Sequence, residues 1–244
     1  MSSTNSPAGP ELTGERTLPG IWHENYWFRR HEAAYRWVAK SMPVRGSSVV
    51  EAGVGEGYGG QLLSDAGAAL VVGVDLDGPT LRHVARTHEG VAPARANLVA
   101  LPLRSGSADL VVSAQVVEHL WDQEGFVSEC ARVLRPGGRL VLTTPNRLTF
   151  PPGNPFHSRE LDGDELTALV AAELQVDGVH GLHHGPRLVA ADREHGGLVD
   201  TQIATTPDRW PDALHDVVTG VTADDFVVGD AQDCLDLLVV GVRR

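Results

Sequence analysis

Ser48-Val49-Val50-Glu51-Ala52-Gly53-Val54-Gly55-Glu56-Gly57-Tyr58-Gly59-Gly60 is the stretch that decides how the chain is read. An apolar run passes straight into closely spaced glycines, and helical spacing follows from Gln61 to Ala66. A strand, a glycine turn and a helix in that order make a nucleotide-binding turn. Glycine accepts φ > 0 and lets the backbone approach a ligand, and the helix start offers N–H groups without intrahelical partners. Ala69 to Val74 is a second buried-strand pattern, closed by Asp75. A carboxylate at that point can accept from both hydroxyls of a ribose.

The same alternation continues outward. Glu24 to Ala39 carries Trp27, Ala34, Trp37 and Val38 near one helical face, and Pro43 and Gly46 stop it. A helix fits Thr80 to Thr87, a short strand Val91 to Ala94, a strand Asp109 to Ser113, a helix Phe126 to Leu134 and a strand Arg139 to Thr144. Asp164 to Leu174 reads as a further helix and Leu235 to Val242 as a last strand. Strands that are apolar on both faces and alternate with helices imply a mainly parallel sheet covered on both sides. Gly181 to Asp233, rich in Gly, His, Pro and Asp, is too long for a simple connection and reads as an insertion that covers something.

Composition narrows the partners. With 32 acidic against 20 basic residues the net charge is −12, which repels a nucleic-acid backbone on average, so no nucleic acid is expected. No run approaches the ~20 apolar residues of a membrane span. The Ser/Pro/Gly-rich start lacks the features of a secretory signal, and residues 1–14 are expected to be a disordered tail. Cys130 and Cys234 have neither metal-like spacing nor a disulfide framework, which suggests a reducing, cytoplasmic setting.

Gly55, Gly57 and Gly60 also fit the dinucleotide spacing G-x-G-x-x-G, with Asp75 in register. Glu51 argues against that ligand, because it makes the motif E-x-G-x-G-x-G. The segments that follow resemble something else. Val49 to Gly57 resembles the first motif of the class I S-adenosylmethionine-dependent methyltransferases, and Val72-Gly73-Val74-Asp75 the second. Ala96-Asn97-Leu98-Val99-Ala100-Leu101-Pro102-Leu103, Asp109 to Ser113 with Val117-Glu118-His119-Leu120, and Leu134-Arg135-Pro136-Gly137-Gly138-Arg139-Leu140 resemble later motifs of that family in the right order. Thr13 to Arg16, Glu24 to His31, Asn154 to Leu161 and Gly181 to Arg187 resemble an actinobacterial branch of sugar O-methyltransferases linked to methylated polysaccharide synthesis.

The resemblance implies a Rossmann-like α/β fold with a seven-stranded, mostly parallel sheet whose last strand is antiparallel. Residues 15–244 would form one domain, with a lid helix over 21–45, a cofactor-binding core over 48–145 and an acceptor cap over 181–233. It implies S-adenosylmethionine as cofactor, converted to S-adenosylhomocysteine. Glu51, Gly53, Gly55, Gly57, Asp75, Leu76, Asn97, Leu98 and Ser113 are the expected cofactor contacts. Asn97 stands where the family usually has Asp. An O-methyltransferase must deprotonate its hydroxyl, so a base is expected. His119 is the first choice and His157 the second, with Glu118 orienting either. His23, Tyr26, His31, His183, His184 and Arg187 are expected to line the site of a small-molecule or oligosaccharide acceptor. Related quinone O-methyltransferases carry an E-x-x-E-H arrangement proposed to hold a divalent cation. Gln115 replaces its first acid here, and no metal is expected. Methylation of another small molecule's hydroxyl, amine or carboxylate, an inactive cofactor-binding protein and an NAD-dependent reductase stay open at this point, as does a homodimer.

Overall fold

The computed structural model describes residues 17–244; the expected N-terminal tail and the Thr13 to Arg16 motif lie outside them. The elements run α1 (Asn25–Ser41), β1 (Ser48–Ala52), α2 (Tyr58–Asp65), β2 (Leu70–Asp75), α3 (Gly78–Thr87), β3 (Ala92–Arg95), β4 (Ala108–Ala114), α4 (Gln123–Val133) and β5 (Leu134–Pro145). Then follow α5 (Gly163–Ala171), β6 (Gln175–His184), α6 (Pro186–Glu194), α7 (Leu198–Ala204), α8 (Asp212–Gly220), β7 (Phe226–Gly229) and β8 (Asp236–Val242). They form one sheet in the order β3-β2-β1-β4-β5-β8-β6-β7. β1 to β5 pair in parallel, and β8 runs antiparallel to both β5 and β6.

The expected architecture is present, with eight strands rather than seven. β6 occupies residues that the sequence reading leaves between the helix ending at Leu174 and the insertion, and the first four residues of the insertion itself. A register shift between Val176 and Gly178 breaks its alternation, and its glycines and histidines imitate a loop. Gly181 is required there, since a Cβ would collide with the Asp230 carbonyl and with Cys234. The insertion therefore starts after β6. It contains three α-helices, two short 3₁₀ turns and β7, which pairs antiparallel with β6.

Local chemistry marks the helix starts. Asp77 caps α3 by accepting from the Thr80 amide, Asp122 caps α4 through the Gly125 amide, and Asp162 with Glu165 forms a capping box on α5. Along β5, Leu140 and Leu142 enter the core on one face and Val141 the core on the other. α4 and α5 cover the first face; α2, α3 and the second half of α1 cover the other. Each such leucine contributes about 1.5–3 kcal/mol by burial. A third core, around Tyr26, Leu188, Leu198, Leu214 and Leu238, joins the first half of α1 to the insertion helices.

One buried ion pair crosses this third region. Arg30 Nε donates to Asp236 Oδ2 at 2.7 Å, and its Nη2 donates to Asp236 Oδ1 at 2.5 Å and to the Leu235 carbonyl at 2.9 Å. It joins α1 to the first residue of β8. Among the described residues, no helix is long and apolar enough to cross a membrane.

Candidate active site

The glycine loop leaves the carboxyl end of β1, where open parallel sheets present their crevice. The Gly53 and Val54 amides donate to the Val74 carbonyl at 2.8 and 3.0 Å, which ties the loop to β2. Gly53, Gly55 and Gly57 all have positive φ, and they differ in what surrounds them. A Cβ on Gly53 would strike Val116, and one on Gly57 would approach the His88 ring to 2.6 Å. A Cβ on Gly55 would meet nothing within 4 Å. Asp75 closes β2, and its carboxylate accepts from the Gly55 amide at 3.0 Å and the Asp77 amide at 2.9 Å.

Gly53, Gly55 and Asp75 line a cavity of about 570 Å³, together with Glu56, Leu76, Asn97, Leu98, Ala114 and Gln115, and Gly57 is not among its lining residues. Asn97 Oδ1 accepts from the Val99 amide at 3.2 Å, which fixes the side chain at the rim. A glycine backbone open on one wall, a carboxylate held by two amides and apolar Leu98 fit a nucleoside with a charged tail.

A second cavity of about 380 Å³ adjoins the first, and Thr17, His31, Gln115 and His119 line both. Its remaining walls include Trp27 and Arg30 of α1, Phe150 to Pro155 with His157, and Gln202 and Ile203 of α7. His119 follows a short 3₁₀ turn after β4. Its Nδ1 lies 3.0 Å from the Phe156 carbonyl oxygen. A carbonyl can only accept, so Nδ1 carries a proton and the lone pair of the neutral ring is on Nε2. The His157 ring stands edge-on to it at 5.0 Å. His157 Nδ1 donates to Glu160 at 2.6 Å, and its Nε2 lies 3.0 Å from the Asn154 amide nitrogen. Both ring nitrogens of His157 thus have protein partners.

Glu118 lines the smaller cavity, and its buried side chain accepts from the Thr144 hydroxyl at 3.0 Å. Burial pushes its carboxyl up to about 8. The carboxylate that orients a histidine is Glu160, on His157. Glu51 lies beneath the loop rather than in the cavity, taking the Tyr35 hydroxyl at 2.7 Å, and burial pushes it up to about 8 as well. Ser113 turns into the sheet and donates to the Ala52 carbonyl at 2.8 Å. Its neighbours Ala114 and Gln115 line the cavity instead.

Of the expected acceptor residues, His31 lines both cavities, and burial pushes it down to about 4. Tyr26 is buried, with its hydroxyl 2.7 Å from His184 Nε2. His183 Nε2 lies 2.8 Å from the Asp230 carbonyl, and Arg187 pairs with Asp225. His23 lies beside Glu24. None of Tyr26, His183, His184, Arg187 and His23 is among the lining residues of either cavity. Sequence reading missed Gln115 as a lining residue. Its backbone is left-handed at φ 56°, and its side-chain amide donates to Thr143 at 3.2 Å. One ligand atom each from Glu118, His119 and His157 lies within 4.8 Å of the others.

The chain's relatives agree with this architecture. Residues 50–142 match the methyltransferase domain family. A Mycobacterium tuberculosis protein named as a probable S-adenosylmethionine-dependent methyltransferase is 48% identical over 99% of this chain and 93% of its own length. A ubiquinone biosynthesis O-methyltransferase of Ralstonia nicotianae is 29% identical over 72% of this chain and 82% of its own. The structure of a geranyl diphosphate methyltransferase in complex with S-adenosylmethionine superposes with a TM-score of 0.62 at 17% identity, covering 93% of this chain and 92% of that one, a likeness of fold. The chain belongs to the class I S-adenosylmethionine-dependent methyltransferases, and S-adenosylmethionine is its cofactor.

Proposed function

We propose that the protein methylates a hydroxyl of a sugar or oligosaccharide, with His119 as the general base. The observation that carries this reading is that His119 lies where the two cavities meet, with Nδ1 held by the Phe156 carbonyl. The larger cavity takes the cofactor. Asp75 accepts from its ribose hydroxyls, Leu76, Asn97 and Leu98 surround the base, and the loop at Gly53, Gly55 and Gly57 meets the methionyl end. Ala114 and Gln115 take the place expected for Ser113. When bound, S-adenosylmethionine supplies an activated methyl group on a sulfonium.

The smaller cavity positions the acceptor. Gln115, Asn154 and Gln202 offer neutral hydrogen-bonding groups, and Trp27 and Phe150 offer apolar faces, a mixture suited to a sugar ring. His119 Nε2 takes the hydroxyl proton as the oxygen attacks the methyl carbon in line, and the alignment contributes through proximity. Glu118, protonated near neutral pH, holds the floor through Thr144. A phenolic hydroxyl is a second reading, favoured by the aromatic and proline wall at Trp27, Phe150, Pro151 and Pro152.

The test is to follow S-adenosylhomocysteine release by the purified protein with neutral mono- and oligosaccharides, and in parallel with phenols and amines. A methyl ether on a sugar oxygen is the expected product. Turnover confined to phenols or amines would replace the sugar reading.

A further inference from the structure

The glycine loop carries a second cluster of titratable side chains, centred on Glu56, which also lines the larger cavity. Glu56 lies between Gly55 and Gly57 and is buried. His83 is on α3, and His88 follows the end of that helix. Both histidines present Nε2 to the same oxygen, Glu56 Oε1, at 2.9 and 3.4 Å. The other carboxylate oxygen, Oε2, is buried and has no hydrogen-bond partner among the described residues. One ligand atom from each residue lies within 4.8 Å of the others.

We propose that Glu56, His83 and His88 form a binding site for a zinc-class divalent cation. Two ligand atoms about 2.1 Å from one cation stand about 3.0 Å apart at a right angle and about 3.4 Å apart at the tetrahedral angle. The two nitrogen-to-oxygen separations match those edges. Two imidazoles and one carboxylate form a donor set for zinc, cobalt or nickel rather than magnesium, which prefers oxygen ligands and retained water. The side chains of His83 and His88 keep 19% and 15% exposure, which gives a cation a way in. Gly57 leaves room for His88, since a Cβ there would crowd the ring. Coordination requires each ring to carry its proton on Nδ1.

The site is independent of the acceptor reading and is tested without turnover. The full chain is titrated calorimetrically with Zn²⁺ and, separately, with Mg²⁺, and Co²⁺ loading is followed by visible absorption. Zn²⁺ should bind and Mg²⁺ should not. H83Q and H88Q should each weaken one Zn²⁺ event at least tenfold, while H157Q, which breaks the cluster at His119, should keep that event. H88Q alters a residue beyond the end of α3 and keeps the test decisive if H83Q loses its fold. Absence of Zn²⁺ binding by the wild type overturns the site. So does an affinity unchanged in H83Q and H88Q, or one lost only in H157Q.

Discussion

The Nδ1–H of His119 donates to the backbone carbonyl of Phe156 across 3.0 Å, so the loop after β5 fixes the tautomer of a ring attached after β4. A base that must release its proton on each turnover gains from such a fixed orientation. His119→Ala should lower kcat by roughly 10²–10⁴-fold, with S-adenosylhomocysteine affinity nearly unchanged. His157→Ala should cost less, because its ring nitrogens already serve Glu160 and Asn154. Steady-state kinetics over pH 6 to 9, with calorimetry on each variant, decide it. Full turnover in His119→Ala beside an inactive His157→Ala would reverse the assignment.

Asp75 ties the loop to β2 and faces the larger cavity. Asp75→Ala should weaken S-adenosylhomocysteine binding by about 1.5–3 kcal/mol, the range for hydrogen bonds to a charged acceptor. Unchanged affinity in calorimetry would remove Asp75 from the site.

Glycine at position 59 is a packing requirement inside α2. A Cβ there would collide with the Tyr35 ring and with the Glu51 carboxylate. Helix propensity alone favours Gly59→Ala by about 1 kcal/mol, and overpacking opposes it by about 1–3 kcal/mol. The net effect should be a lower urea midpoint. Adding Tyr35→Ala should relieve the contact with the ring and leave that with Glu51, so the two changes should be non-additive. A higher midpoint in the single variant would show that Tyr35 moves aside at little cost.

Buried groups give stability a predictable pH profile. Glu51 and Glu118 are pushed up to about 8, and His31 and His184 down to about 4. Between about pH 4.5 and 6.5 the folded carboxyls hold protons that the unfolded chain has released, so stability falls as pH rises. In the same interval the unfolded histidines hold protons that the folded ones lack, so stability rises, and the two trends oppose. From about pH 6.5 to 8 only the carboxyls act, and stability falls by about 2 kcal/mol per group. Urea midpoints measured across this interval should decline, and Glu51→Gln or Glu118→Gln should flatten the slope. A midpoint that rises from pH 6.5 to 8 would contradict the assignment.

The parallel half of the fold was legible because its strands are apolar on both faces and its turns are glycine-rich. Asp75 and the loop glycines were legible for the same reason. β6 was not, because its bulge removes the alternation and Gly181 answers to contacts made after residue 229. Glu51 and Ser113 were placed by motif position. Their side-chain directions depend on Tyr35 and Ala52, which spacing does not reveal. Gln115 lines both cavities through a left-handed backbone, a conformation its residue type does not advertise. His183, His184 and Arg187 were expected to line the acceptor site from the insertion, but a strand and a helix assign them to Asp230, Tyr26 and Asp225.

The Arg30–Asp236 pair sets an order of assembly. A lone 17-residue helix such as α1 is marginal in water. Its polar anchors come from the other end of the chain: Asp236 for Arg30, and the carbonyls of Val218 and Val221 for Asn25. During synthesis the first half of α1 therefore lacks these anchors until β8 has left the ribosome, whereas its second half can already pack through Tyr35 and Val38 on the core beside α2 and α3. The wall of the smaller cavity that carries Trp27, Arg30 and His31 closes only then. A chain truncated before Asp236 would keep the sequence of every glycine-loop residue and still lack a finished acceptor chamber.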